Sequence, residues 1–115
     1  MVGKNNLPRS LSLKSRVEIG QLFRTGRRFP TDFFTVIWQP AEQLRFGVFV
    51  SRRLGSAVRR NRAKRLIREA FRLSRRRLEK TGRIGVLPYG WDTEPSLESL
   101  VADVRRVFDR VNQEA

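Results

Sequence analysis

Twelve of the chain's 25 lysines and arginines fall between Arg52 and Arg77, and Glu69 is the only acid among them. Arginine dominates the run. Its planar fork grips phosphate oxygens through two parallel donors and stacks on bases, which a lysine ammonium does not. The residue types therefore point to binding of a polyanion. Their spacing gives the binding a direction. At about 100° per residue along a helix, Asn61, Arg62, Arg65, Arg68, Arg72 and Arg76 gather on one side. Ala63, Leu66, Ile67, Ala70, Phe71, Ser74 and Leu78 gather on the other, with Leu66 at the edge. A merely solvated helix interleaves charges of opposite sign three and four residues apart, because like charges at that spacing repel. Here the repulsion stands, so the row calls for a partner that neutralises it. Arg60 and Lys64 lean toward the apolar edge, where their stems either reach round to a ligand or lie over the rim of the core.

Other chemistries are poorly supplied. The chain has neither histidine nor cysteine, which removes zinc-finger, thiol and redox motifs. Phosphodiester hydrolysis by protein groups needs an acid and a base poised near neutral pH, or carboxylates clustered on metal ions. The acids of the first seventy residues are Glu18, Asp32, Glu42 and Glu69. Glu18 reads as part of a helix cap and Glu69 as an intrahelical partner of Arg65 or Arg72. Asp92, Glu94, Glu98, Asp103 and Asp109 follow later without a metal-ligand spacing. No catalytic residue and no metal ligand is assigned.

The elements that must hold the basic helix are legible on either side of it. Gly55-Ser56 supplies a break and an N-cap hydroxyl, and neither proline nor glycine interrupts again before Gly82. Upstream, Ser15-Arg16-Val17-Glu18 has capping-box spacing and Gly26 is placed to end a short first helix. Phe33–Trp38 and Arg45–Val50 are β-branched and aromatic runs separated by Pro40-Ala41-Glu42-Gln43, which reads as an antiparallel hairpin. Phe29 marks a short edge strand, and Ile84–Leu87, stopped by Pro88, a last one. Leu97, Leu100, Val101, Val104, Val107, Phe108 and Val111 then form a helical stripe behind Pro95-Ser96. The order α-β-β-β-α-β-α predicts an α+β fold with helices on a small β-sheet. In strand alternation Phe34, Val36 and Trp38 are assigned to the core, and Phe33, Thr35 and Ile37 to the other face.

The length of 115 residues suits a single RNA-binding domain spanning 1–115, with a polar, flexible start up to about Arg9. A net charge of +14 favours a nucleic acid or an anionic membrane as partner, and the ordinary core residues on the other face of the basic helix weaken the membrane reading. The longest apolar run, Phe33–Trp38, is far short of a span, and the start shows no secretory pattern. Charge is also uneven. The first 51 residues carry eight basic and three acidic side chains and the segment after Arg77 carries five and seven, so the middle faces the polyanion and the end serves as scaffold. A cytoplasmic setting is expected.

The segment Gly47-Val48-Phe49-Val50-Ser51-Arg52-Arg53-Leu54-Gly55-Ser56-Ala57-Val58-Arg59-Arg60-Asn61-Arg62-Ala63-Lys64-Arg65-Leu66-Ile67-Arg68-Glu69 resembles the strand and Arg-Asn-Arg helix of the protein subunit of bacterial ribonuclease P. Leu22-Phe23-Arg24-Thr25-Gly26-Arg27-Arg28 resembles that family's first helix and glycine turn. The likeness weakens after Leu78, and Pro88-Tyr89-Gly90-Trp91-Asp92 stands where the family's last strand usually ends in a basic residue. The resemblance implies a fold similar to the second domain of ribosomal protein S5, with a left-handed βαβ crossover carrying the basic helix between two parallel strands. It implies a ribonucleoprotein that removes the 5′ leader from precursor tRNA. The RNA is the catalytic part and the protein, inactive alone, aids substrate and metal-ion binding.

Carried over to this sequence, the surface for the catalytic RNA comprises Arg52, Arg53, Arg59, Arg60, Asn61, Arg62, Lys64, Arg65, Arg68 and Arg72. The leader is expected in a cleft between the first helix and the sheet, on Ile19, Phe23, Phe33, Thr35 and Ile37, where aromatic faces stack unpaired bases at about 1–3 kcal/mol each. Ordinary core is the competing reading for each of these five. The expected partners are ribonuclease P RNA and precursor tRNA, with no membrane and no obligate protein partner. The protein itself is expected to bind no cofactor, and the holoenzyme to use magnesium. The rival function is a ribosomal or other structural RNA-binding protein. A DNA-binding regulator would want more readout residues than Asn61 along the helix.

Overall fold

The computed structural model describes residues 9–114. The start that the sequence marks as flexible lies outside the described residues, apart from Arg9. Helix α1 (Arg16–Thr25) is followed by strands β1 (Arg27–Pro30), β2 (Phe34–Pro40) and β3 (Arg45–Val48). Helix α2 (Ala57–Ser74), strand β4 (Gly82–Pro88) and helix α3 (Leu97–Gln113) complete the chain. Each helix starts on a serine whose hydroxyl accepts a backbone N–H. Ser15 takes that of Glu18 at 3.3 Å, Ser56 that of Arg59 at 3.3 Å and Ser96 that of Ser99 at 3.1 Å. Such caps satisfy donors that the helix cannot, at about 1 kcal/mol apiece. Before α2 the chain turns through Gly55 at φ 131°, a backbone shape that a side chain would strain.

The sheet runs β1-β2-β4-β3. β1 with β2 and β2 with β4 are antiparallel, whereas β3 and β4 are parallel and joined through α2. The expected hairpin of the second and third strands does not form, because β4 lies between them. Two causes decide this. β4 is apolar toward both faces, with Ile84 and Val86 on one and Leu87 on the other, so it belongs at the centre, where both faces are covered. The four residues between Pro40 and Arg45 easily span the roughly 10 Å that two strand spacings require, and Ala41 is tied instead to Thr81 at the entrance to β4 (N–H to carbonyl, 3.3 Å). The hairpin in this fold is β1–β2.

Two apolar layers result. On one sheet face α2 and α3 bury Phe34, Val36, Trp38, Phe46, Ile84 and Val86 against Ala63, Ile67, Ala70, Phe71 and the stripe of α3. Phe71 is stacked on Phe46 (4.0 Å between centroids) and meets Phe108 edge-on at 5.7 Å. The strand alternation assigned Phe34, Val36 and Trp38 to this core, and all three are buried there. On the other face α1 covers a smaller cluster of Leu13, Leu22 and Ile37. One short helix cannot cover the sheet, and the remainder of that face stays partly open.

Candidate nucleic-acid interface

Burial of Ala63, Ile67, Ala70, Phe71 and Ser74 fixes the rotation of α2, and the arginine row is thereby turned outward. Asn61, Arg62, Arg65 and Arg68 are exposed, Arg72 half-buried. The row is not uniform. Arg62 gives two hydrogen bonds to Glu94 in the β4–α3 loop, and Arg72 gives two to Glu69 one turn back. These bonds hold both carboxyls below the usual carboxylate range and raise both guanidinium groups, the hydrogen bond being the leading cause in each case. Arg65 and Arg68 make no side-chain hydrogen bond or ion pair among the described residues, nor do Asn61 and Lys64. These two arginines therefore present unengaged guanidinium groups on the outer side of the helix.

Around the N-terminus of α2, Arg52 and Arg53 lie exposed in a 3₁₀ turn, also without a side-chain partner among the described residues. Arg59 donates to the carbonyl of Trp91, and Arg60 reaches back to the carbonyl of Gly55 at 2.7 Å. Arg60 and Lys64 are half-buried, at the rim where the helical wheel puts them. All ten residues expected to face RNA thus lie along one turn and one helix. Glu94 is what the sequence did not disclose: it arrives from 32 residues away, and no local spacing marks it.

The expected leader residues divide. Ile19 and Phe23 stand half-buried on α1 against the small cluster, and Thr35 is half-buried opposite Leu87. Phe33 precedes β2 and packs against the helix-side core, which includes Trp91. Ile37 needs correction. At 0% exposure it is sealed beneath α1 with Leu22, so it supports the floor of the cleft and touches no ligand. Its alternation with Thr35 is right, but α1 sits over one end of the face and leaves the other open.

Phe49 and Leu87 pack beside the same small cluster. Both are partly buried on the α1 side, and Phe49 meets Phe23 edge-on at 5.2 Å. Gly85 makes room for Leu22 and Phe49. A Cβ there would lie 3.0 Å from Leu22 Cδ2 and 3.2 Å from Phe49 Cε2. Continuing the alternation from Gly47 points to Phe49, and from Gly85 to Leu87. The signal was present once the strand pairing was known. At the far end, Arg83 bridges Gln21 (2.8 Å) and Gln39 (3.0 Å), tying α1 to the sheet.

One outward row of arginines, a second basic turn and an apolar cleft on a small α+β scaffold define the class: an RNA-binding protein. The chain belongs to the ribonuclease P family, whose model matches residues 7–112. It is similar to the ribonuclease P protein component of Desulfatibacillum aliphaticivorans, 31% identical over 114 residues and 97% of each chain. With that of Desulfovibrio desulfuricans it shares 45% identity over 76 residues, spanning 63% of this chain and 58% of the relative. Its fold is similar to the RNase P protein from Thermotoga maritima (TM-score 0.77, 25% identity, 86% of this chain and 96% of that one). It also resembles in fold the Staphylococcus aureus RNase P protein, at TM-score 0.74 and 22% identity over 88% and 94% of the two chains.

Proposed function

We propose that the protein is the RNA-binding subunit of ribonuclease P, assisting a catalytic RNA in endonucleolytic removal of the 5′ leader from precursor tRNA. The observation that carries this reading is the division of labour between two faces. Arg65 and Arg68 stand ready on α2 for the phosphates of a structured RNA, while Phe23, Phe49, Thr35 and Leu87 border a cleft suited to unpaired bases. Catalysis is assigned to the RNA. Six of the eleven acids are engaged: Glu69, Glu94, Asp103, Asp109, Glu114 and Glu18 each face an arginine. For Glu69, Glu94 and Asp109 this holds the carboxyl below its ordinary range, the opposite of what a general acid or base near neutral pH requires. The protein itself holds no cofactor in this reading, and magnesium serves the holoenzyme. No helix among the described residues is long and apolar enough to cross a membrane, and the reading places the protein in the cytoplasm with its precursor tRNA.

Sequencing the RNA that co-purifies with the tagged protein tests the assignment. One abundant catalytic RNA is the expected result. Ribosomal RNA in its place would support the rival, a structural RNA-binding protein.

A further inference from the structure

Among the described residues Val58 is the most exposed large apolar side chain, with 77% of its surface open. A single exposed valine is ordinary on a protein surface. The place of this one is not. It is the second residue of α2, after the cap Ser56 and Ala57, and nothing local calls for a valine there. β-Branched residues lose side-chain freedom in a helix and rank below alanine, arginine and glutamine as helix formers. The first turn favours an acid against the helix dipole, and the staple position that would use an apolar contact lies two residues on, at Arg60.

Nor does the core use it. At about 100° per residue, Val58 lies within about 40° of Arg62, Arg65 and Arg72 and on the side opposite Ala63, Ile67 and Phe71, which are buried. Its methyl groups therefore stand in the arginine row. Asn61, Arg62 and Arg65 follow it at spacings that share one helix face, and all three are exposed. Phosphates account for these arginines but not for the valine, because a methyl group gains from an apolar surface closed off from water. On a folded RNA that surface is the face of a base freed from the stack at a loop or bulge. A regular duplex keeps its base faces stacked. Once the neighbouring arginines close on phosphates, their contacts exclude water from the methyl groups, the arrangement that concentrates binding energy at the centre of an interface.

We propose that Val58 is the apolar anchor of the α2 surface, seated on the face of an unstacked base of the catalytic RNA while the arginines beside it hold phosphates. The inference rests on the function proposed above and adds to it a contact whose strength does not depend on salt.

The test measures assembly of the protein with ribonuclease P RNA across a series of salt concentrations. Val58→Ala should weaken binding by about 10-fold at every concentration, roughly the worth of two buried methyl groups, and leave the log–log slope unchanged because no phosphate contact is lost. Val58→Thr, which keeps the branched shape and exchanges a methyl for a hydroxyl, should lose part of the same factor. Val58→Ile should bind as tightly as the unmodified protein. The melting temperature of Val58→Ala should stay level or rise, since alanine is the better helix former. Val17→Ala, at a comparably open valine of α1 with 68% exposure, is the control and should leave binding unchanged. Modification-interference mapping of the RNA should find an unpaired base whose alteration weakens binding of the unmodified protein and not of Val58→Ala, as two changes that remove one contact do. The anchor is overturned if folded Val58→Ala binds as tightly as the unmodified protein, if its loss comes with a flatter slope, if Val17→Ala loses as much, or if no base shows that dependence. Failure of the broader reading looks different: the unmodified protein would then bind ribonuclease P RNA no more tightly than ribosomal RNA.

Discussion

Arg62 of α2 and Glu94 of the β4–α3 loop are joined through both arms of the guanidinium, with Nη2 to Oε2 at 3.0 Å, across 32 residues of sequence. A carboxylate therefore occupies the first guanidinium of the outward arginine row. Any phosphate arriving there must displace it, so Arg62 is a guarded donor and Arg65 and Arg68 are open ones.

Glu94→Gln should accordingly tighten binding of the catalytic RNA and steepen its salt dependence by roughly 0.7–0.9 in log–log slope, one added phosphate contact. The effect should depend on pH. The Glu94 carboxyl is held below its ordinary value by the hydrogen bond from Arg62, so the pair persists above the normal carboxylate pKa and is lost only as pH falls through the lowered one. The unmodified protein and the variant should differ at neutral pH and converge in acid. Equal slopes at neutral pH would show that the pair does not compete with phosphate.

Arg65→Ala and Arg68→Ala should each weaken catalytic-RNA binding and flatten the salt dependence by roughly 0.7–0.9. Arg72→Ala should change the slope less, because Glu69 already neutralises that side chain and its loss leaves a carboxylate behind. Salt titrations of the three variants check the order. Unchanged slopes for both Arg65→Ala and Arg68→Ala would move the contact surface off this helix face.

How far the sequence disclosed this depends on the range over which each feature is encoded. Caps and helix rotation are local, so Ser15, Ser56 and Ser96 and the apolar side of α2 could be read from spacing alone. Strand alternation is also local, and it placed Phe34, Val36 and Trp38 correctly. Strand order is not local. The short turn after Pro40 suggests a hairpin, and only competition for the doubly covered centre of the sheet puts β4 between β2 and β3. The same limit hid Glu94, and hid that α1 covers Ile37 while leaving Thr35, Phe49 and Leu87 at the cleft.

Phe23 and Ile37 should separate binding from packing. Ile37→Ala opens a cavity in a sealed cluster and should cost about 2–5 kcal/mol of stability. Phe23→Ala removes a half-buried ring and its edge-on contact with Phe49, which itself is worth about 0.5–1.5 kcal/mol. It should stay folded and assemble, yet reduce the preference of the holoenzyme for leader-bearing over mature tRNA. A sharp fall in melting temperature with the affinity ratio unmoved would make Phe23 a core residue only.

On the function proposed above, the protein binds RNA and leaves the chemistry to it. Cleavage of precursor tRNA at low magnesium and moderate salt, by ribonuclease P RNA alone, by highly purified RNA-free protein alone and by the two together, tests this most directly. Processing at the mature 5′ end is expected from the mixture and none from the protein alone. Cleavage at that position by the RNA-free protein would contradict it.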